Sequence, residues 1–91
     1  MDFDIDAGWR LHPQVVIRPE RFGALLYHFG TRRLSFVKTP TLLRVVRALD
    51  ASDSARTACM TAGVDVEQLP AYAAALAALA GSAMISRKDA A

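Results

Sequence analysis

"RFGALLYHFGTRRLSF", Arg21 to Phe36, is the stretch that decides the fold. Two strand-like runs, "ALLYH" and "RRLSFVK", are joined through Phe29-Gly30-Thr31-Arg32, and Gly30 supplies the permissive backbone that a tight connection needs. That connection sets the pairing of a β-hairpin: His28 opposite Arg33, Tyr27 opposite Leu34, Leu26 opposite Ser35 and Leu25 opposite Phe36. Leu25, Tyr27, Leu34 and Phe36 then share one wholly apolar face, which is expected to lie on the core. Ala24, Leu26, His28, Arg33, Ser35 and Val37 form the mixed face, expected to be the less buried one.

Upstream, "PQVVIRP" reads as a short strand, Gln14 to Arg18, bracketed by Pro13 and Pro19, as suits the edge of a sheet. Downstream the periodicity becomes helical. Thr39 is the expected N-cap and Pro40 the first-turn residue of a helix. Leu42, Leu43, Val46 and Leu49 fall on its inner stripe, with Arg44 and Arg47 facing away. A second helix begins at Ser52 or Asp53 and stops at Gly63. A third runs from about Glu67 to Ala80 and ends at Gly81, with Leu69, Tyr72, Leu76 and Leu79 as its broad stripe. "AMISRK" reads either as a short closing strand or as an extended tail. Three strands followed by three helices predict an α+β, winged-helix-like domain with a three-stranded antiparallel sheet. The expected boundaries are a flexible acidic tail over 1–8, the domain over 9–88 and a C-terminal tail over 89–91. "DFDID" within the first tail is alternating and strand-capable, so it is a candidate to lie along a basic edge in cis or in a dimer.

Ninety-one residues supply one small core. The hydrophobic share of 53% is inflated by alanine, and no run approaches the roughly 18 to 20 apolar residues of a membrane span. The start of the chain is acidic where a secretion signal is basic, so a cytoplasmic protein with no membrane partner is expected. The net charge of +2 conceals an asymmetry. Residues 1–8 carry −3, residues 9–47 carry eight bases and only Glu20 as an acid, and residues 48–91 carry −2. An anionic partner is therefore expected to meet the front half of the domain.

Groups able to catalyse are sparse. Cys59 is the one cysteine, which excludes an internal disulfide and a cysteine-cluster metal site; it reads as a buried small hydrophobe. His12 and His28 lack a second ligand at metal-binding spacing, and His28 reads as a solvent-facing strand residue. Asp50, Asp53, Asp65 and Glu67 sit at helix ends, where carboxylates cap or complement the dipole. The chain is therefore read as a non-enzyme with no cofactor and no metal. A DNA-binding winged-helix regulator is the alternative reading. It is disfavoured because the third helix contains no Lys, Arg, Asn or Gln after Gln68 to read base edges.

What remains is the outer edge of the hairpin's second arm. Arg32, Arg33 and Lys38 there are either guards against aggregation or a steering charge for an acidic peptide that adds as a strand. An open edge also leaves the oligomeric state at monomer or weak homodimer.

From Trp9 to Arg87 the sequence, and "RPERFGALLYHFGTRRLSF" above all, closely resembles the mycofactocin precursor-peptide chaperones, a PqqD-like group also called RiPP recognition elements. The resemblance implies a winged-helix-like (PqqD-like) fold. It also implies a non-catalytic protein that binds the leader of a ribosomally made precursor peptide and presents it to a radical S-adenosylmethionine enzyme. The iron–sulfur clusters would belong to that partner, which decarboxylates the precursor's C-terminal Val-Tyr pair. In related domains the leader pairs with the third strand beside the third helix. Carried over, this makes Arg32, Arg33, Leu34, Ser35, Phe36, Val37 and Lys38 the expected strand edge. Tyr72, Leu76 and Leu79 become candidate floor residues, although a stripe at helical spacing is more often core.

Overall fold

The computed structural model describes residues 3–88. Met1, Asp2 and the expected C-terminal tail over 89–91 lie outside the described residues. Five strands and three helices follow in the order β1 (Trp9–Leu11), β2 (Val15–Pro19), β3 (Ala24–His28), β4 (Leu34–Val37), α1 (Pro40–Ala48), α2 (Ala55–Thr61), α3 (Leu69–Gly81) and β5 (Ile85–Arg87). Single 3-10 turns, Leu49–Ala51 and Val66–Gln68, precede α2 and α3. The architecture is α+β: a three-stranded antiparallel sheet ordered β2-β3-β4, with the helices on one side.

The hairpin pairs in the register expected from its connection. Tyr27 faces Leu34, Leu26 faces Ser35 and Leu25 faces Phe36, and the His28 N–H donates to the Arg33 carbonyl at 3.0 Å. The face assignment is the reverse of the expectation. Ala24, Leu26, His28 and Val37 are buried, whereas Leu34 and Phe36 are each 59% exposed. The mixed face is the core face. Ala24 and Val37 are completely enclosed there, and His28 is accommodated because its Nδ1 accepts from the N–H groups of Gly30 and Thr31 at 3.0 and 3.1 Å. A buried ring nitrogen with partners costs little, so polarity did not force His28 outward. Within the sheet itself Gly23 is required: a Cβ there would lie 2.1 Å from the Val37 carbonyl oxygen of β4.

Helix ends follow local chemistry. Thr39 caps α1 by accepting from the Leu42 N–H at 3.1 Å, and Pro40 occupies the first turn. Ser54, rather than Ser52 or Asp53, caps α2 through the Thr57 N–H. Gly63 then takes a left-handed φ of 91°, as a helix stop requires. α3 starts two residues later than expected because Val66–Gln68 form the 3-10 turn. Val45, Val46 and Leu49 with Leu69, Leu76 and Leu79 fill the core beneath Leu26 and Val37.

Two features go beyond the sequence reading. β1 pairs antiparallel with β5, Trp9 opposite Arg87 and Leu11 opposite Ile85, closing the domain on itself. "AMISRK" is thus a closing strand. Residues 3–8, read as a flexible tail, are packed against the domain and not along the basic edge. The Ala7 and Ile5 carbonyls accept from the N–H groups of Ala55 and Arg56 at 3.0 and 2.8 Å, satisfying donors in the first turn of α2. Phe3 and Ile5 pack on the core, and the Trp9 indole N–H donates to the Asp4 carbonyl at 2.8 Å.

Candidate functional site

Among the described residues β4 is paired on one side only. The orientation of its backbone follows from two hydrogen bonds. His28 donates across to β4 through the Arg33 carbonyl, and its neighbour Phe29 donates the opposite way, to the Gln14 carbonyl at 2.9 Å. Antiparallel pairs alternate between bonded and non-bonded positions. Arg33, Ser35 and Val37 therefore direct their backbone groups towards β3, while Leu34 and Phe36 direct theirs to the unpaired edge.

That edge borders a groove of about 680 Å³. β4 supplies Leu34, Ser35 and Phe36 as one wall, and Lys38 and Thr39 stand at one end. The opposite wall is α3, through Tyr72, Ala75 and Leu79, with Ala71 and Ala78 beside them and Leu42 of α1 completing the lining. The groove has the size of a ligand site and is mainly apolar. Alanines at i, i+4 and i+7 leave room for another chain between helix and strand. Ser35 and Ser82 hold the two walls together, their hydroxyl oxygens 3.4 Å apart, while the Ser82 hydroxyl donates to the Ala78 carbonyl at 3.2 Å.

Ser35, Lys38, Thr39 and Tyr72 are the polar side chains lining the groove. Cys59 is buried away from it, and burial pushes its thiol pKa up, away from the nucleophilic thiolate. Among the described residues no cluster of three or more His, Cys, Asp or Glu is placed to hold a metal ion. None of the helices among them is long and apolar enough to cross a membrane.

Known proteins resemble the chain along nearly its whole length. The model of the Peptide chaperone MftB family matches residues 8–86. The chain belongs to that family. A protein named "Peptide chaperone MftB" from Mycobacterium ulcerans (strain Agy99) is 57% identical over 97% of this chain and 81% of its own length. Its namesake from Mycobacterium tuberculosis (strain ATCC 25618 / H37Rv) is 58% identical over 92% and 77%. That from Mycolicibacterium smegmatis (strain ATCC 700084 / mc(2)155) is 53% identical over 91% and 81%. No solved structure matches the chain at a significant level.

For this member of the peptide chaperone MftB family, the expected site residues divide into three sets. Leu34, Ser35, Phe36, Lys38, Tyr72 and Leu79 line the groove together. Val37 and Leu76 are fully buried in the core, and the Val37 backbone faces β3. Arg32 and Arg33 are exposed in the turn leading into β4, Arg32 with a left-handed φ of 62°. Sequence reasoning missed Leu42 and the alanine row. The spacing of Ala71, Ala75 and Ala78 was a usable signal, since small residues on one helix face mark close approach as readily as poor packing.

Proposed function

We propose that this chain is a non-catalytic peptide chaperone which binds the leader of a ribosomally made precursor peptide by strand addition. It presents that peptide to a radical S-adenosylmethionine enzyme in mycofactocin biosynthesis. The observation that carries the reading is the unpaired edge of β4, with the backbones of Leu34 and Phe36 directed into an apolar groove walled by α3. Family membership, and the names of the relatives, support a peptide as the ligand.

The bound leader runs along β4 at the usual strand spacing of about 4.8 Å. Leu34 and Phe36 each offer one N–H and one carbonyl, giving four main-chain hydrogen bonds of about 1 kcal/mol net apiece. Alternate leader side chains enter the space between Tyr72, Ala75 and Leu79, which sets selectivity for apolar residues at every second position. Arg32, Arg33 and Lys38 at the ends of the strand favour acidic flanks and speed encounter. Reactive groups are supplied by the enzyme that receives the peptide; the chaperone holds, orients and delivers.

Calorimetric titration with a synthetic leader tests this directly. Phe36→Pro removes an N–H that points to the groove and leaves β3 pairing intact, so it weakens binding about tenfold or more relative to Phe36→Ala. A proline at the neighbouring Val37 would instead remove an N–H directed to β3 and disrupt the sheet itself. Equal affinity of folded Phe36→Pro and Phe36→Ala chains would contradict strand addition.

A further inference from the structure

The side of the three-stranded sheet turned away from the helices is apolar. Val16, Tyr27 and Leu34 form one row across it, and Leu25 and Phe36 extend the next. Phe29 packs edge-on to Tyr27 with ring centres 5.0 Å apart, and Phe22 sits 6.1 Å from Phe36. Seven large hydrophobic side chains are exposed among the described residues, and five of them, all but Met60 and Val66, belong to this face and its two turns. So concentrated a patch on a small domain marks an interaction surface.

Charge decides what covers it. Arg18 stands in the face beside Leu25, Arg21 adjoins Phe22, Arg32 and Arg33 follow Phe29, and Lys38 lies past Phe36. Glu20, the only acid between residues 9 and 47, is already paired with Arg18 at 3.1 Å. A second copy applied to this face by two-fold symmetry would oppose base to base with no carboxylate to spare. The fitting partner is a different protein, with an apolar centre rimmed by acidic residues.

Leu34 and Phe36 belong both to this face and to the groove. A strand added to β4 would extend the face and expose alternate peptide side chains on it. We propose that the outer face of the β2-β3-β4 sheet is where the peptide-modifying enzyme docks, contacting chaperone and bound leader as one continuous surface. This rests on the peptide-chaperone reading and names its second interface.

The test uses Val16→Glu combined with Phe29→Glu, two exposed positions outside the groove. Leader affinity is measured by calorimetry, and affinity for the radical S-adenosylmethionine enzyme by anisotropy of the labelled chain. The double variant should bind leader like the unchanged chain, which also shows that it folds, and should bind the enzyme about tenfold more weakly or worse. Met60→Glu with Val66→Glu, on the helical side, should leave both affinities unchanged. Undiminished enzyme binding by the sheet-face variant overturns the proposal. So does a variant whose only losses are self-association in sedimentation or binding to phosphatidylglycerol vesicles, because the face would then belong to a second copy or to a membrane. Failure of the unchanged chain to bind leader would instead overturn the chaperone reading, and this interface with it.

Discussion

His12, ahead of β2, and His28, at the end of β3, bring their ring centres within 4.3 Å at a tilt of 41°. His28 Nδ1 accepts two backbone N–H groups of the turn leading into β4, and His12 Nδ1 accepts the Gln14 N–H at 3.0 Å. Partial burial, then the neighbouring His28 and Arg10, lower the pKa of His12 below its ordinary 6.5. The unfolded chain therefore takes up a proton more readily at this site than the folded one. Its contribution to stability is complete above pH 6.5 and declines as pH falls through 6.5 towards the depressed folded value. The urea midpoint should drop between pH 7.5 and 5.5, and His12→Gln should flatten that drop; an unchanged slope would remove His12 as the cause. The sequence could not place these rings. Alternation offered two apolar-enough faces, the larger aromatic side chains favoured the wrong one, and nothing local announced that His28 would find two donors within three residues.

At the scale of elements, the hairpin register, the caps at Thr39 and Pro40, and the stop at Gly63 were legible because each is set within a few residues. β1 was not, and β5 was only one of two readings of "AMISRK", since three-residue strands carry little pattern and their pairing spans the chain. The tail was misjudged for a related reason: its acidic alternation said nothing about the α2 donors waiting for the Ile5 and Ala7 carbonyls. Arg56 meets Asp6 there at 2.7 Å and lowers the carboxyl pKa of Asp6. Because that pair is exposed, packing of Phe3 and Ile5 is the larger effect. Deleting residues 1–8 should lower the urea midpoint through loss of these contacts while leaving leader affinity unchanged. Tighter leader binding after the deletion would mean that the tail competes for β4 after all.

For the whole molecule, the groove and the apolar outer face meet along β4, with Lys38 at the groove and Arg18 on the outer face. Leader association should slow as salt rises from 50 to 500 mM in stopped-flow titrations, with dissociation changing far less. A rate insensitive to salt would remove the steering role of Arg32, Arg33 and Lys38. The open edge of β4 was legible, and the helical wall beside it only at Tyr72 and Leu79, because the fully buried Leu76 shares their stripe. Amide hydrogen exchange, resolved by residue with and without a synthetic leader, tests the central claim most directly. The account predicts that the Leu34 and Phe36 amides exchange freely in the unbound chain and become protected on binding, while those of Ser35 and Val37 are protected in both states. Leader binding that leaves Leu34 and Phe36 exchanging freely would contradict it.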